Sequence, residues 1–302
     1  MELKHLRSFA AVVQYSSFTE ASVKLYLSQP TVSSHVQALE EELGKQLILR
    51  TTKSLELTSL GHAVYRRAVD ILELQRQIIE MCAQDSRKII RLGASTIPSA
   101  YILPQLLPEF GQLYPEIYFT VQQGNSKSVS DGLAEGLFDV GLVGMRGDDR
   151  LICIPFYKDR IVLITPVTEA YLSMADYPAT PIEELLRHPI ILRETSSESS
   201  KTADRFLDRM GIDEKHLHVV ARVNDQEAIK NLVAGGLGVS LISERAAQNF
   251  VEEKRVLKFD LPGQNSRSLY LAYRREYTLS SYVKDFLAFT QKKYRRWHGS
   301  EK

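Results

Sequence analysis

The sequence predicts two architectures in one chain. An all-α N-terminal head with a winged helix-turn-helix and a long linker helix precedes a larger α/β body of two lobes. Three observations predict this. Helical periodicity with strong caps runs through the first fifty residues. A long helical stretch with a short heptad-like seam, interrupted by Arg67, follows it. After residue 88 short apolar runs alternate with amphipathic segments, the pattern of a parallel sheet covered by helices.

Leu3, Leu6, Phe9, Ala10 and Val13 share one face of a first helix. Ser16, Ser17 and Thr19 offer a break and a new cap for a short helix through about Leu25. Ser28 then caps a third helix, with Pro30 in its first turn and Gly44 supplying the left-handed stop. In this third helix Val32, Val36, Leu39 and Leu43 recur at core spacing, while Gln29, Ser33 and Gln37 lie four apart on another face beside Thr31 and Ser34. Short hydroxyl and amide side chains at a helix N-terminus suit base edges in a major groove. An ordinary solvated face would look similar; the neighbours discriminate. Helix, short helix, turn and helix is the layout of a helix-turn-helix.

Leu47-Ile48-Leu49 and Leu55-Glu56-Leu57 flank a basic tip at 50–54 and predict a β-hairpin wing. Arg50 and Lys53 are placed to neutralise phosphates there. From Thr58 the pattern stays helical to about Gln84. Val64, Ile71 and Ile78 are spaced by seven, and Leu60, Leu74 and Met81 fall on a second row of the same spacing that Arg67 interrupts. Such a seam pairs with a copy of itself or packs on the next domain. A polar stretch at 85–88 marks the domain boundary.

Beyond it, strands are expected at 89–94, 117–121, 139–143, 161–165, 190–192, 219–223, 239–242 and 269–273. Helices are expected at 101–114, 127–136, 182–187, 202–210, 226–234, 245–252 and 280–296. Ligands of open α/β sheets sit outside the carboxyl ends of strands, near helix N-termini, where hydroxyls and N–H groups suit a small anion. Ser95-Thr96, Asn125 and the segment Arg193-Glu194-Thr195-Ser196 occupy such positions. Helix capping by the same residues is the alternative.

Composition narrows the function classes. The 302 residues are 44% hydrophobic and 25% charged, as in a soluble globular protein, and the net charge of +1 argues against a wholly basic nucleic-acid coat. Two cysteines, Cys82 and Cys153, give no disulfide framework or metal cluster, so a reducing cytoplasm is expected. No signal-peptide core or bilayer-length apolar run is seen, so no membrane partner is expected. A Walker loop, an HExxH motif and a nucleophile elbow are missing. Neither metal, cofactor nor catalytic set is therefore expected. GGLG at Gly235–Gly238 reads as a helix C-terminal turn, and His216 and His218 as residues of a strand edge.

SSFTEAS at 16–22, LSQPTVSSHVQALEEELG at 27–44 and LTSLG at 57–61 resemble the LysR-type transcriptional regulators, and the likeness extends over essentially the whole chain. The resemblance implies a DNA-binding domain at 1–58, a linker and dimerisation helix at 59–87, and an effector-binding domain at 88–302. That last domain would resemble periplasmic solute-binding proteins, with lobe I at about 88–162 and 268–302 and lobe II at about 163–267. It implies double-stranded DNA and a small effector as partners, and a homodimer or a homotetramer built as a dimer of dimers. By position, Gln29, Pro30, Thr31, Ser33, Ser34 and Gln37 would face DNA, with Arg50 and Lys53 at the wing. From their strand-end positions, Ser95, Thr96, Asn125, Arg193, Thr195 and Ser196 are the residues expected to face the effector. The chain departs from the family pattern at Ser34, where a basic residue is common, and in a wing with Arg50-Thr51-Thr52-Lys53 rather than paired arginines. It departs again at Ser59-Leu60, where Glu-Ala is common. ASTIPSAYILP at 94–104, QGNSKSV at 123–129 and ILRETSSES at 191–199 are most similar to a branch linked to sulfur metabolism, whose effectors are small oxyanions or sulfur metabolites. An enzyme on the α/β body and a solute-sequestering protein are the competing readings. The first lacks a matched base and nucleophile, and the intact reading helix opposes the second.

Overall fold

A computed structural model describes residues 1–50, 55–82, 88–175, 182–194, 198–275 and 277–294, with the backbone alone at 50, 77, 80–82 and 198–200. The chain divides into two compact units, Met1–Arg87 and Lys88–Lys302.

In the first unit α1 (Leu3–Tyr15), α2 (Phe18–Leu25) and α3 (Gln29–Leu43) precede a two-stranded antiparallel hairpin of β1 (Ile48–Arg50) and β2 (Leu55–Leu57). A 24-residue helix, α4 (Ser59–Cys82), completes it. Local chemistry sets each boundary. The Ser17 hydroxyl accepts the Glu20 N–H, and the Ser28 hydroxyl accepts that of Thr31. Gly44 closes α3 at φ +63°, a conformation without penalty for glycine. The Thr58 hydroxyl accepts the Gly61 N–H at 2.8 Å and so opens α4. Phe9, Val12, Val32, Val36, Leu39, Leu47 and Tyr65 form the shared core. Gly61 lies so close to the wing that an added Cβ would stand 2.1 Å from the Leu47 carbonyl oxygen.

The second unit is built on one mixed sheet ordered β4-β3-β5-β11-β6-β9-β7-β8, with β10 paired to β6. Its strands are β3 (Lys88–Ser95), β4 (Ile117–Gly124), β5 (Val140–Val143), β6 (Leu151–Thr165), β7 (Ile190–Arg193), β8 (Val219–Val223), β9 (Val239–Ser243), β10 (Leu257–Asp260) and β11 (Ser266–Arg274). Parallel pairing joins β3 to β4 and β5 in one lobe, and β7 to β8 and β9 in the other. Two long antiparallel strands connect the lobes. β6 pairs with β11 from Leu151 to Arg160, then with β9 and β10 from Ile161 to Thr165. A single strand thus belongs to both lobes, as crossing strands in a two-lobed domain must.

The helices of this unit are α5 (Leu103–Leu113), α6 (Ser126–Ala134), α7 (Glu169–Ala175), α8 (Ile182–Leu185), α9 (Glu198–Arg209), α10 (Gln226–Ala234), α11 (Glu244–Glu252) and α12 (Ser281–Tyr294). One π-helical turn, Pro98–Ile102, leads into α5. Lobe I packs around Phe110, Phe156, Leu269 and Phe286, and lobe II around separate clusters that include Phe206 and Phe250. Several expectations need correction. The sheet is mixed rather than parallel, β6 begins ten residues before the expected 161, and α7 and β10 were not expected. His216 ends a 3-10 turn rather than lying on a strand, and His218 precedes β8. Gly235 and Gly236 do end α10, the latter at φ +86°.

Candidate functional site

The N-terminal half of α3 is the candidate nucleic-acid interface. Its inner row is fixed: Val32, Val36 and Leu39 are fully buried. Two polar anchors hold the rest of the helix. His35 Nδ1 and Ser8 Oγ share a hydrogen bond of 2.8 Å, which ties α3 to α1. The Glu40 carboxylate accepts the N–H groups of Leu47 and Ile48 at 2.7 and 3.0 Å, which ties α3 to the wing. Burial holds the His35 imidazole below its ordinary pKa, with the neighbouring His5 and Lys4 charges adding to it. Periodicity marks the apolar row but not these anchors, because one polar pairing across helices leaves no repeat in the sequence.

The outer row is open. Gln29, Pro30, Ser34 and Gln37 are exposed, and Thr31 and Ser33 half-buried. Thr31 turns its hydroxyl back to Ser28 at 2.7 Å, a capping contact. Gln37 Nε2 donates to Glu41 Oε1 at 2.8 Å, which fixes its amide one turn along the same face. Arg50 closes β1, with its side chain outside the described atoms, and Lys53 lies outside the described residues.

The second site lies where the lobes of the C-terminal unit meet. β3 and β4 end in register, Ser95 opposite Gly124, and Asn125 then caps α6 by accepting the Ser128 N–H at 2.8 Å. Asn125 is exposed and Ser95 is buried. In lobe II, Arg193 closes β7 opposite Val223. Its Nη2 reaches across the lobes to donate to Thr96 Oγ1 at 3.3 Å. Thus Thr96 and Arg193, far apart in sequence, come together. Thr195 and Ser196 lie outside the described residues.

Polar and charged groups outside the expected effector set line the same boundary. Tyr101 donates to Glu227 Oε1 at 2.7 Å, and its carbonyl accepts Arg245 Nε at 3.1 Å; both bonds cross between lobes. Burial, then Glu227, raises the Tyr101 pKa far beyond its ordinary value, so the phenol stays a donor. Lys230, wholly buried, pairs with Glu227 at 2.7 Å and Asn249 at 3.0 Å. Its ammonium also lies 4.9 and 4.5 Å from the ring centres of Tyr101 and Phe250. On the crossing strands Arg267 donates to Asp159 at 2.9 Å, and Ser243 donates to the other Asp159 oxygen at 2.6 Å. Burial lowers the Arg193 pKa, and the nearby Arg267 charge lowers it further, while Asp225 acts oppositely. Arg193, Lys230 and Arg267 thus lie at this boundary, with Lys230 and Arg267 each paired to a carboxylate. Among the described residues there is no metal-ligating cluster, and no helix is long and apolar enough to cross a membrane.

Both units match described families of known proteins. Residues 3–62 match the family described as bacterial regulatory helix-turn-helix protein, lysR family, and residues 83–295 match the LysR substrate binding domain. An uncharacterised HTH-type transcriptional regulator of Methanocaldococcus jannaschii is 31% identical, covering 96% of this chain and 99% of its own. The uncharacterised HTH-type transcriptional regulator YeiE of Escherichia coli is 31% identical over 95% of this chain and 96% of its own. Among solved structures, full-length OxyR of Pseudomonas aeruginosa, carrying one substitution, superposes with a TM-score of 0.68 at 21% identity, over 98% of this chain and 95% of that one. A variant of full-length BenM gives 0.58 at 26% identity, over 98% and 97%.

Proposed function

Since this chain belongs to the LysR family of helix-turn-helix transcriptional regulators, we propose that the outer row of α3 reads its DNA site and that Arg193 and Thr96 hold its effector. The chain is a sequence-specific DNA-binding regulator whose activity a small effector modulates through the C-terminal unit. Gln29, Ser33 and Gln37 are the base-reading residues of this proposal, with Pro30, Thr31 and Ser34 against the groove wall. Arg50 and Lys53 supply phosphate contacts from the wing. The observation that carries the DNA reading is the split of α3 into a fully buried apolar row and an open amide and hydroxyl row.

The effector reading rests on the Thr96–Arg193 bond between lobes, and Ser95, Asn125, Thr195 and Ser196 are the further effector residues of this proposal. A small anion bound there favours one arrangement of the lobes over another, and so shifts the population of DNA-binding states. Functionally, residues 1–58 read DNA, 59–87 pair two copies, and 88–302 sense the effector. Exposed Leu60, Leu74, Ile78 and Ile79 on α4 support the pairing into a homodimer, and a tetramer follows from joining two such dimers. The protein acts in the cytoplasm and catalyses no reaction. The test is footprinting of the chain's own upstream region together with calorimetric titration of small anions. A protected site and an anion that Thr96→Val no longer binds support the reading. Footprints indifferent to sequence, or turnover of a bound anion, overturn it.

A further inference from the structure

Gln226 is the first residue of α10, directly after the capping Asp225. It is 2% exposed, and neither its Nε2 nor its Oε1 finds a hydrogen-bond partner among the described residues. The buried residues of α10 are Gln226, Ile229, Lys230 and Val233. Ile229 and Val233 belong to the lobe II core, and Lys230 has Glu227 and Asn249. Gln226 alone of these four keeps its polar atoms uncommitted. A buried carboxamide in that state lowers the stability of the ligand-free fold, which a position shaped only for packing would avoid by using leucine.

Its place in the fold points to a use. Val223, at the end of β8, pairs with Arg193, and α10 starts three residues later. Asp225 is near enough for its charge to act on Arg193, and Glu227 bonds Tyr101 of the other lobe. Gln226 thus stands between two residues that act at the interlobe boundary, at the end of lobe II where Arg193 meets Thr96.

The carboxamide offers a donating NH2 and an accepting oxygen side by side. A bare oxyanion occupies Nε2 only and sets its charge against the Oε1 lone pairs; an ammonium does the reverse. A hydroxyl donates and accepts at once. The guanidinium of Arg193, with the hydroxyls of Thr96 and Ser95, suits a carboxylate or phosphate. We propose that Gln226 determines effector specificity, and that the ligand is a hydroxylated organic anion. Its anionic group sits on Arg193, Thr96 and Ser95, and its hydroxyl on Gln226. This rests on the interlobe reading above.

Calorimetry on the full chain with paired probes tests it: propanoate against lactate, propyl phosphate against glycerol 3-phosphate. The hydroxylated member of at least one pair binds about tenfold tighter or more. Which pair responds separates a hydroxycarboxylate from a sugar-phosphate ligand. Gln226→Leu brings that ratio close to one and raises the melting temperature of the ligand-free protein. Equal binding within both pairs, binding of none of the four probes, a ratio unchanged by Gln226→Leu, or a lowered melting temperature each overturns the inference. Thr96→Val and Arg193→Met separate it from its premise. If they leave probe binding intact, the interlobe site itself is wrong. If they abolish it while Gln226→Leu changes nothing, only the role of Gln226 falls.

Discussion

His35 and Ser8 fasten α3 from behind while its front stays open, and this arrangement has a pH signature. Burial holds the folded imidazole below its ordinary value of 6.5. Above that value both folded and unfolded chains carry a neutral imidazole and stability is at its full level. As the pH falls below 6.5 the unfolded chain takes up a proton that the folded one resists, so stability is lost between the ordinary and the lowered value. Thermal melts from about pH 7.5 to about pH 5.5 should show this loss for the N-terminal unit, and His35→Gln should reduce it. On the open side, Ser33→Ala and Gln37→Ala should each cost roughly 1–3 kcal/mol of discrimination among DNA sites, read by competition binding. Arg50→Ala should instead weaken all sequences alike and flatten the salt dependence. The capping residues Ser17, Ser28, Gly44 and Thr58 were legible in the sequence because each acts through its own backbone neighbourhood. His35, Glu40 and Gln226 were not, since their roles depend on residues brought near only by folding.

At the scale of elements, the heptad-like seam of α4 divides in two. Val64 and Ile71 pack on the core of their own unit, whereas Leu60, Leu74 and Ile78 stay exposed. Spacing by seven recorded both uses without separating them. Replacing Leu74 and Ile78 by aspartate should leave the monomer's helical content intact and shift sedimentation from dimer to monomer. An unchanged sedimentation coefficient would reject α4 as the pairing element. Gly61→Ala should destabilise the N-terminal unit, because the new methyl meets the Leu47 carbonyl and backbone on both sides must move. Strands rich in apolar residues, β3, β5 and β9, were evident from the sequence. The first half of β6 was not. Its run through Pro155, Lys158 and Arg160 is interrupted by charge and by proline, and it is held in place by pairing with β11, a partner more than a hundred residues away. β10 is an edge strand with the pattern Leu-Lys-Phe-Asp, too short to announce itself against loop composition.

In the C-terminal unit, hydrogen bonds between side chains of the two lobes couple them. Tyr101 donating to Glu227, and Arg193 to Thr96, tie lobe to lobe directly. Tyr101→Phe removes the first of these and should shift the lobe equilibrium by about 0.5–1.5 kcal/mol, seen as a changed effector affinity with DNA sequence preference retained. The two-part architecture was readable from the change of periodicity near residue 88, and the alternation beyond it gave the order of most elements. The lobe junction was only half readable. Strand-end positions drew attention to Ser95, Thr96 and Arg193, but Glu227 and Lys230 look like ordinary helix-surface residues until the lobes close over them. The claim that α3 reads sequence is tested most directly by selecting binding sites from random DNA with the full chain and with Ser33→Ala/Gln37→Ala in parallel. The account predicts a two-fold symmetric motif for the unsubstituted chain and a motif of reduced information for the double variant. No enriched motif, or the same motif undiminished in the double variant, would contradict it.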